Sequence, residues 1–236
     1  MQILGLIGSM DKNYIITIDG PVGSGKSTIG RLLAGRKGLV YLDTGAMYRA
    51  VALEAQCKGV DPASEKALQI LCAQVDISFK QDHDGQRVFL LGRDVTDQIR
   101  TPEISMLASR ISAVKAVREE MVKLQRQIGQ KGGIVVDGRD AGTVIFPHAR
   151  FKFYMDATIE IRAERRYKEF VDKNIKVSYN GIFQDIKKRD HDDSSRKIAP
   201  LKPAEDARII DTTEMTIEEV LDRISREIEV GTTSLA

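Results

Sequence analysis

The sequence predicts an α/β fold in which a mostly parallel sheet is covered by crossover helices and interrupted by an antiparallel insertion. Three observations carry this expectation. Short β-branched or aromatic runs alternate with longer amphipathic stretches along the chain, the order that parallel strands joined by helices require. The segment YIITIDGPVGSGKST at residues 14–28 reads as a buried strand, a glycine-rich turn and the opening of a helix. Residues 75–92 then break the rhythm, because VDISFK alternates, QDHDGQ is a polar turn and RVFLLG is a second apolar strand, together a hairpin.

Taken in order, Ile15, Ile16, Thr17 and Ile18 form the first strand. Ile29, Leu32 and Leu33 fit the inner face of the helix that follows, with Gly35 and Gly38 near its end. A strand at 39–42 (LVYL) leads to a helix at 45–57. Asp61-Pro62 and Thr101-Pro102 each place a capping side chain before a proline at a first helical position, so each is expected to start a helix. The second of these opens a helical pattern over 102–129. Strands follow at 133–137 (GIVVD), 151–155 (FKFYM) and 208–211 (RIID), with helices at 158–172, 180–189 and 216–228. The last residues, TTSLA, are expected to fray, and the thirteen that precede the first strand have no assigned role.

At 236 residues and 42% hydrophobic, the chain suits one large domain spanning 1–236 with a packed core. Its 36 basic and 34 acidic residues leave a formal charge of +2, which argues against a nucleic-acid coat or a membrane-surface binder. Anion binding must therefore come from local clusters. Cys57 and Cys72 have no CxxC spacing, so neither a disulfide framework nor a zinc site is expected. MQILGLIGSM lacks a basic n-region, and no later run approaches a membrane span. A cytosolic protein is the expectation.

The turn after the first strand matches G-x-x-x-x-G-K-[ST] at Gly20, Gly25, Lys26 and Ser27, with Pro21, Val22, Gly23, Ser24 and Thr28 completing the loop. Its glycines let successive N–H groups converge on phosphate oxygens at a helix N-terminus. Lys26 is placed to reach β- and γ-phosphates, and the Ser27 hydroxyl suits Mg²⁺. This is a P-loop for a nucleoside triphosphate. No N-K-x-D guanine reader is present, and the D-x-x-G match at Asp82–Gly85 falls in the hairpin turn, so a switch GTPase is disfavoured. Asp137, which ends the strand IVVD, is the better acidic partner for Mg²⁺. Arg49 and Arg139 lie just beyond strand ends, and Arg162, Arg165 and Arg166 share one helix face. The mixed-charge stretch RDHDDSSRKIAPL at 189–201 reads on its own either as a solvated loop or as a clamp for an anionic ligand that also donates hydrogen bonds.

Four motifs in order, GPVGSGKST, DTGAMYR (43–49), VDGRDAGTVIFP (136–147) and KKRDHDDSSRKIAPL (187–201), resemble those of the bacterial cytidylate kinase family over about residues 14–225. The resemblance implies a P-loop kinase with a central parallel sheet flanked by helices. It also implies an antiparallel monophosphate-binding subdomain at about 61–112, larger than in adenylate or UMP/CMP kinases, and a helical lid at about 158–192. ATP would be the phosphoryl donor, Mg²⁺ its cation, and CMP or dCMP the acceptor. By the same resemblance Lys26, Arg162 and Arg189 are catalytic. Arg189 and Arg196 meet the acceptor phosphate, Thr44 and Arg49 hold its phosphate side, and Arg139 binds substrate. Asp193 takes the ribose hydroxyls, and Asp140 takes the cytosine amine with Arg118 and Ser109 as donors. A monomer is implied. The long N-terminus departs from the family's pattern. Rival readings are a kinase for UMP or dephospho-coenzyme A, a P-loop regulatory ATPase or switch, and a binding module without turnover.

Overall fold

A computed structural model describes residues 13–82 and 85–233. The N-terminal segment through residue 12, the tip of the expected hairpin turn at 83–84 and the terminal 234–236 lie outside the described residues.

Five strands form a parallel sheet: β1 (Ile15–Asp19), β2 (Val40–Asp43), β6 (Ile134–Gly138), β7 (Phe151–Asp156) and β8 (Arg208–Asp211). Their order is β2-β6-β1-β7-β8, so β1 sits at the centre. Both of its neighbours run parallel to it, with Ile18 opposite Asp137 on β6 and Phe153 on β7. Both faces are covered, which is why these strands read as continuous apolar runs. Ile16, Ile18, Val135 and Phe153 pack under α1 (Lys26–Lys37) and α8 (Ile217–Thr233). Ile134 and Val136 face the opposite layer, with Met47 and Val51 of α2 (Thr44–Cys57) and Val117 and Met121 of α5 (Lys115–Gly129). The helix after β1, α1, lies on one side of the sheet, and the helix after β2, α2, on the other. The C-terminal ends of β1, β2 and β6 therefore open into one crevice, the place where open α/β sheets take their ligands.

Between α2 and β6 lie α3 (Glu65–Gln74), β3 (Ile77–Asp82), β4 (Gly85–Leu90), β5 (Arg93–Asp94), a 3₁₀ turn (Gln98–Arg100) and α4 (Pro102–Ile111). The expected hairpin is present as the antiparallel pair β3–β4, in register Ile77 to Leu90, with β5 as a third strand. Two expectations fail. Asp61-Pro62 does not start a helix: Asp61 accepts from the Ala63 N–H at 2.9 Å in a local turn, and Ser64 caps α3 instead. The helical pattern over 102–129 is two helices, broken at 112–114, because α4 packs on α2 whereas α5 packs on α3. Thr101-Pro102 does start α4, its Oγ1 accepting from the Ile104 N–H at 3.2 Å.

Beyond β7, α6 (Ile159–Asp172) and α7 (Tyr179–Ser195) pack through Ala163, Phe170, Ile182 and Ile186 into a small separate cluster. The second of these helices runs past the expected end at 189, so RDHDDSS is helical and its charges sit on the last two turns. No helix among the described residues is long and apolar enough to cross a membrane.

Candidate active site

The glycine-rich turn is bound to its shape by close contacts. Gly20 has φ 147°, and a Cβ there would lie 2.0 Å from the Met155 carbonyl oxygen of β7. Gly23 has φ 81°, and its Cβ would meet the Arg162 carbonyl oxygen at 2.8 Å. Only glycine fits either position. Gly25, also left-handed, turns the chain into α1 and leaves the helix N-terminus facing the crevice. Lys26 is buried there, its Nζ donating to the Pro21 carbonyl at 2.6 Å and to Ser24 Oγ at 3.3 Å. Burial, and then the charge of Arg139, push its ammonium down to about 7. An anion in the loop would raise it again.

Beside the loop the ends of β2 and β6 form an oxygen-rich corner. Ser27 Oγ donates to Asp137 Oδ2 at 2.5 Å, the Tyr41 hydroxyl donates to the same oxygen at 2.9 Å, and Thr44 Oγ1 donates to the Asp137 carbonyl at 2.7 Å. A serine hydroxyl and a carboxylate at a phosphate cradle are hard oxygen donors, the set Mg²⁺ takes together with water and phosphate, so these residues fit the cation. Asp19, at the end of β1, accepts from the Ala141 and Gly142 N–H groups at 2.8 and 2.7 Å. Burial raises its carboxyl to about 7 against those two bonds. It ties the strand before the loop to the π-helical turn Ala141–Ile145 after β6, and so to Arg139 and Asp140.

The cleft continues from the loop as a cavity of about 820 Å³ that reaches the insertion. Its far wall is cationic. Arg49 is held by Asp43 at 3.0 Å, and Asp43 also caps α2 by accepting from the Ala46 N–H. Arg139 donates to Asp193 at 3.1 Å, and Arg196 stands 3.7 Å from the other oxygen of that carboxylate. Burial alone would raise Asp193, but Arg139, Arg189 and Arg196 outweigh it and hold the group below the usual carboxylate range. Arg49 Nε, Arg189 Nε and Arg196 Nη2 are buried donors with no hydrogen-bond partner among the described residues. Burial, followed by Arg139, lowers Arg189 to about 10. Buried guanidinium donors around one cavity are the groups a phosphate or carboxylate would satisfy.

At the insertion end Arg118 pairs with Asp140, both buried, and its other nitrogen donates to the Ser112 carbonyl at 3.1 Å. Ser109 lines the same space, as does Tyr48, whose ring lies 5.7 Å from the Arg118 guanidinium. All of the expected residues from Val22 to Thr28, together with Thr44, Arg49, Ser109, Arg118, Asp137, Arg139, Asp140, Arg189, Asp193 and Arg196, line this one cleft. Gly20 and Pro21, also expected, belong to the loop but do not line the cleft.

Of the expected arginine trio on α6, Arg165 and Arg166 line the cleft, and Arg162 does not. Arg162 is buried and donates to the Ala157 and Val22 carbonyls at 2.9 and 3.2 Å, with Asp190 of α7 at 2.7 Å. Arg165 turns to Thr212, while Arg166 pairs with Glu169 and covers the Phe170 ring. Sequence reasoning passed over Tyr41, Asp19, Asp43 and Asp190. The advance signals were positions at strand ends for Asp19 and Asp43 and the adjacency to Arg189 for Asp190, whereas Tyr41, inside β2, carried none.

The family model described as cytidylate kinase matches residues 16–230. The chain belongs to the cytidylate kinase family. A cytidylate kinase of Bacillus subtilis is 47% identical over 220 residues, covering 93% of this chain and 98% of that protein. Cytidylate kinases of Syntrophotalea carbinolica and Geobacter sulfurreducens are 49% and 48% identical, covering 91% and 94% of this chain and 92% and 96% of their own length. Among solved structures, an uncharacterized protein from Eubacterium ventriosum superposes with a TM-score of 0.51 at 12% identity, covering 92% of this chain and 98% of that one, and so shares the fold alone.

Proposed function

We propose that the chain transfers the γ-phosphoryl group of ATP to the 5′-phosphate of CMP or dCMP, giving ADP and CDP or dCDP. The observation that carries this reading is the set of buried, unpartnered arginine donors across the cleft from the phosphate loop. A hydrolase needs one anion site, whereas a site with two, facing each other, suits two phosphorylated ligands.

The P-loop from Gly20 to Thr28 takes the triphosphate, and Lys26 reaches β- and γ-phosphate oxygens on either side of the bond that breaks. Held by Ser27 and Asp137, Mg²⁺ would neutralise charge on the β- and γ-oxygens. Arg49, Arg139, Arg189 and Arg196 receive the acceptor phosphate with Thr44, and Asp193 accepts from the ribose hydroxyls. No general base is needed, since the acceptor phosphate has a second pKa of about 6 and is largely ionised at neutral pH. Its oxygen attacks the γ-phosphorus in line, the β–γ bridge bond breaks, and ADP leaves. Catalysis is then alignment and charge neutralisation. Arg162, at the rim of the loop, and Arg189 spread transition-state charge when α6 and α7, within a lid at about 158–192, close over it. Closure also keeps water from competing as acceptor.

Base selection rests on the Arg118–Asp140 pair. The cytosine amine donates to Asp140, whereas its O2 and N3 accept from Arg118 and Ser109. Uracil would set O4 against the carboxylate. An unpaired buried polar group costs about 1–3 kcal/mol, enough for roughly ten- to hundredfold selectivity. Residues 61–112 are the acceptor-binding insertion in this reading, and the enzyme is a cytosolic monomer. The near balance of charge and the absence of disulfide spacing support that placement.

Steady-state ADP release with CMP, dCMP, UMP and no acceptor, at saturating Mg-ATP, tests the reading. CMP and dCMP should turn over at least about tenfold faster than UMP in kcat/KM. Equal rates with UMP would remove the base assignment.

A further inference from the structure

Tyr41 sits in β2 among apolar side chains, and its ring belongs to the core beneath α1. Tyr41 pairs with Val135 across the β2–β6 register, two residues before Asp137, so all three side chains share one face of the sheet. The ring therefore lies along the strand toward the carboxylate, and its hydroxyl leaves the core to reach Asp137 Oδ2. Helix α1 makes room for it. A Cβ on Gly30 would sit 2.8 Å from Tyr41 Cε2, so the helix carries a glycine mid-length, at a cost of about 1 kcal/mol relative to alanine, where the ring passes.

Two hydroxyls thus donate to one carboxylate oxygen, and among the described residues no donor reaches Oδ1. A carboxylate with a single donor can swing about its last bond. With two donors on Oδ2, one from the loop and one from the sheet, its plane is fixed and Oδ1 is left for the cleft. We infer that Tyr41 is a positioning residue for the divalent cation, its hydroxyl orienting Asp137 toward the metal. The inference rests on the reading of Ser27 and Asp137 as the groups that hold the cation.

Tyr41→Phe removes the hydroxyl and keeps the ring. The measurement is Mn²⁺ binding to the full chain with a non-hydrolysable ATP analogue, followed by electron paramagnetic resonance. Asp137→Asn serves as a second variant, and analogue affinity in EDTA as the metal-free control. The expected result is a Mn²⁺ dissociation constant raised about tenfold in Tyr41→Phe, the usual size for loss of a group that orients a metal ligand, and raised at least as much in Asp137→Asn. Metal-free analogue affinity stays unchanged. If Asp137→Asn weakens Mn²⁺ and Tyr41→Phe does not, the inference about Tyr41 is overturned while the cation site stands. If neither variant weakens it, the cation site itself is wrong and the inference falls with it. An equal loss with and without metal also overturns it, since the hydroxyl would then be acting through the loop.

Discussion

Asp140 and Arg118 expose 5% and 4% of their side chains, so their charges are answered almost entirely by each other and by the Ser112 carbonyl. The obvious alternative role for Asp140, capping the turn that follows it, is not what its side chain does: that turn uses the Asp140 carbonyl, and the carboxylate faces Arg118. Asparagine keeps an oxygen for Arg118 but can also present NH₂ to a base carbonyl. Asp140→Asn should therefore lower kcat/KM for CMP and spare or raise it for UMP, shrinking their ratio by about tenfold, which is about 1.4 kcal/mol. Parallel losses for both acceptors would mean that cytosine is read elsewhere. Arg118 and Ser109 lie outside the four motifs and came only through the family resemblance, whereas Asp140 was legible because a motif carried it. Tyr41 and Asp19 were not, since an aromatic in a strand reads as core and an aspartate before a glycine reads as a strand end. What distinguishes them is a partner far off in sequence, at Asp137 for one and at Ala141 and Gly142 for the other.

At the scale of elements, α7 joins the loop side of the cleft to the arginine wall. It carries Asp190 toward Arg162 of α6 and the P-loop, and Arg189 and Asp193 toward the arginine wall, so one helix touches both ends of the cleft. An arginine that strengthens its contact during closure contributes to the transition state more than to the ground state. Arg189→Ala should lower kcat and kcat/KM together, by roughly ten- to hundredfold, the range for loss of a charged hydrogen bond. A rise confined to the KM for ATP would contradict that role. The end of this helix was misjudged from sequence because RDHDDSS has no helical apolar repeat, and a polar end of a helix is indistinguishable from a loop by periodicity. The break between α4 and α5 was invisible for another reason. Ile111 to Lys115 contains neither glycine nor proline, and the stop comes from packing, with Arg118 and the Ser112 hydroxyl taking up groups at the break. Asp61-Pro62 gave the opposite error, a genuine start signal overridden by Ser64 three residues on.

Over the whole molecule, the parallel sheet, the inserted hairpin and the loop between β1 and α1 were readable because each leaves a periodic or glycine-marked trace. The arginine wall is a different kind of object, assembled from α2, β6 and α7 at positions about 150 residues apart in the chain. Only the fold shows that its donors surround one cavity and lack partners. That wall makes the central claim, a second phosphate site facing the first, open to direct test. With ATP labelled at the γ-position, enzyme in excess and CMP present, a single turnover should leave the label in CDP, with inorganic phosphate at background; without CMP, the label should stay in ATP. Label released as inorganic phosphate at the same rate with and without CMP would contradict the account, because the wall would then hold no acceptor and the protein would be an ATPase.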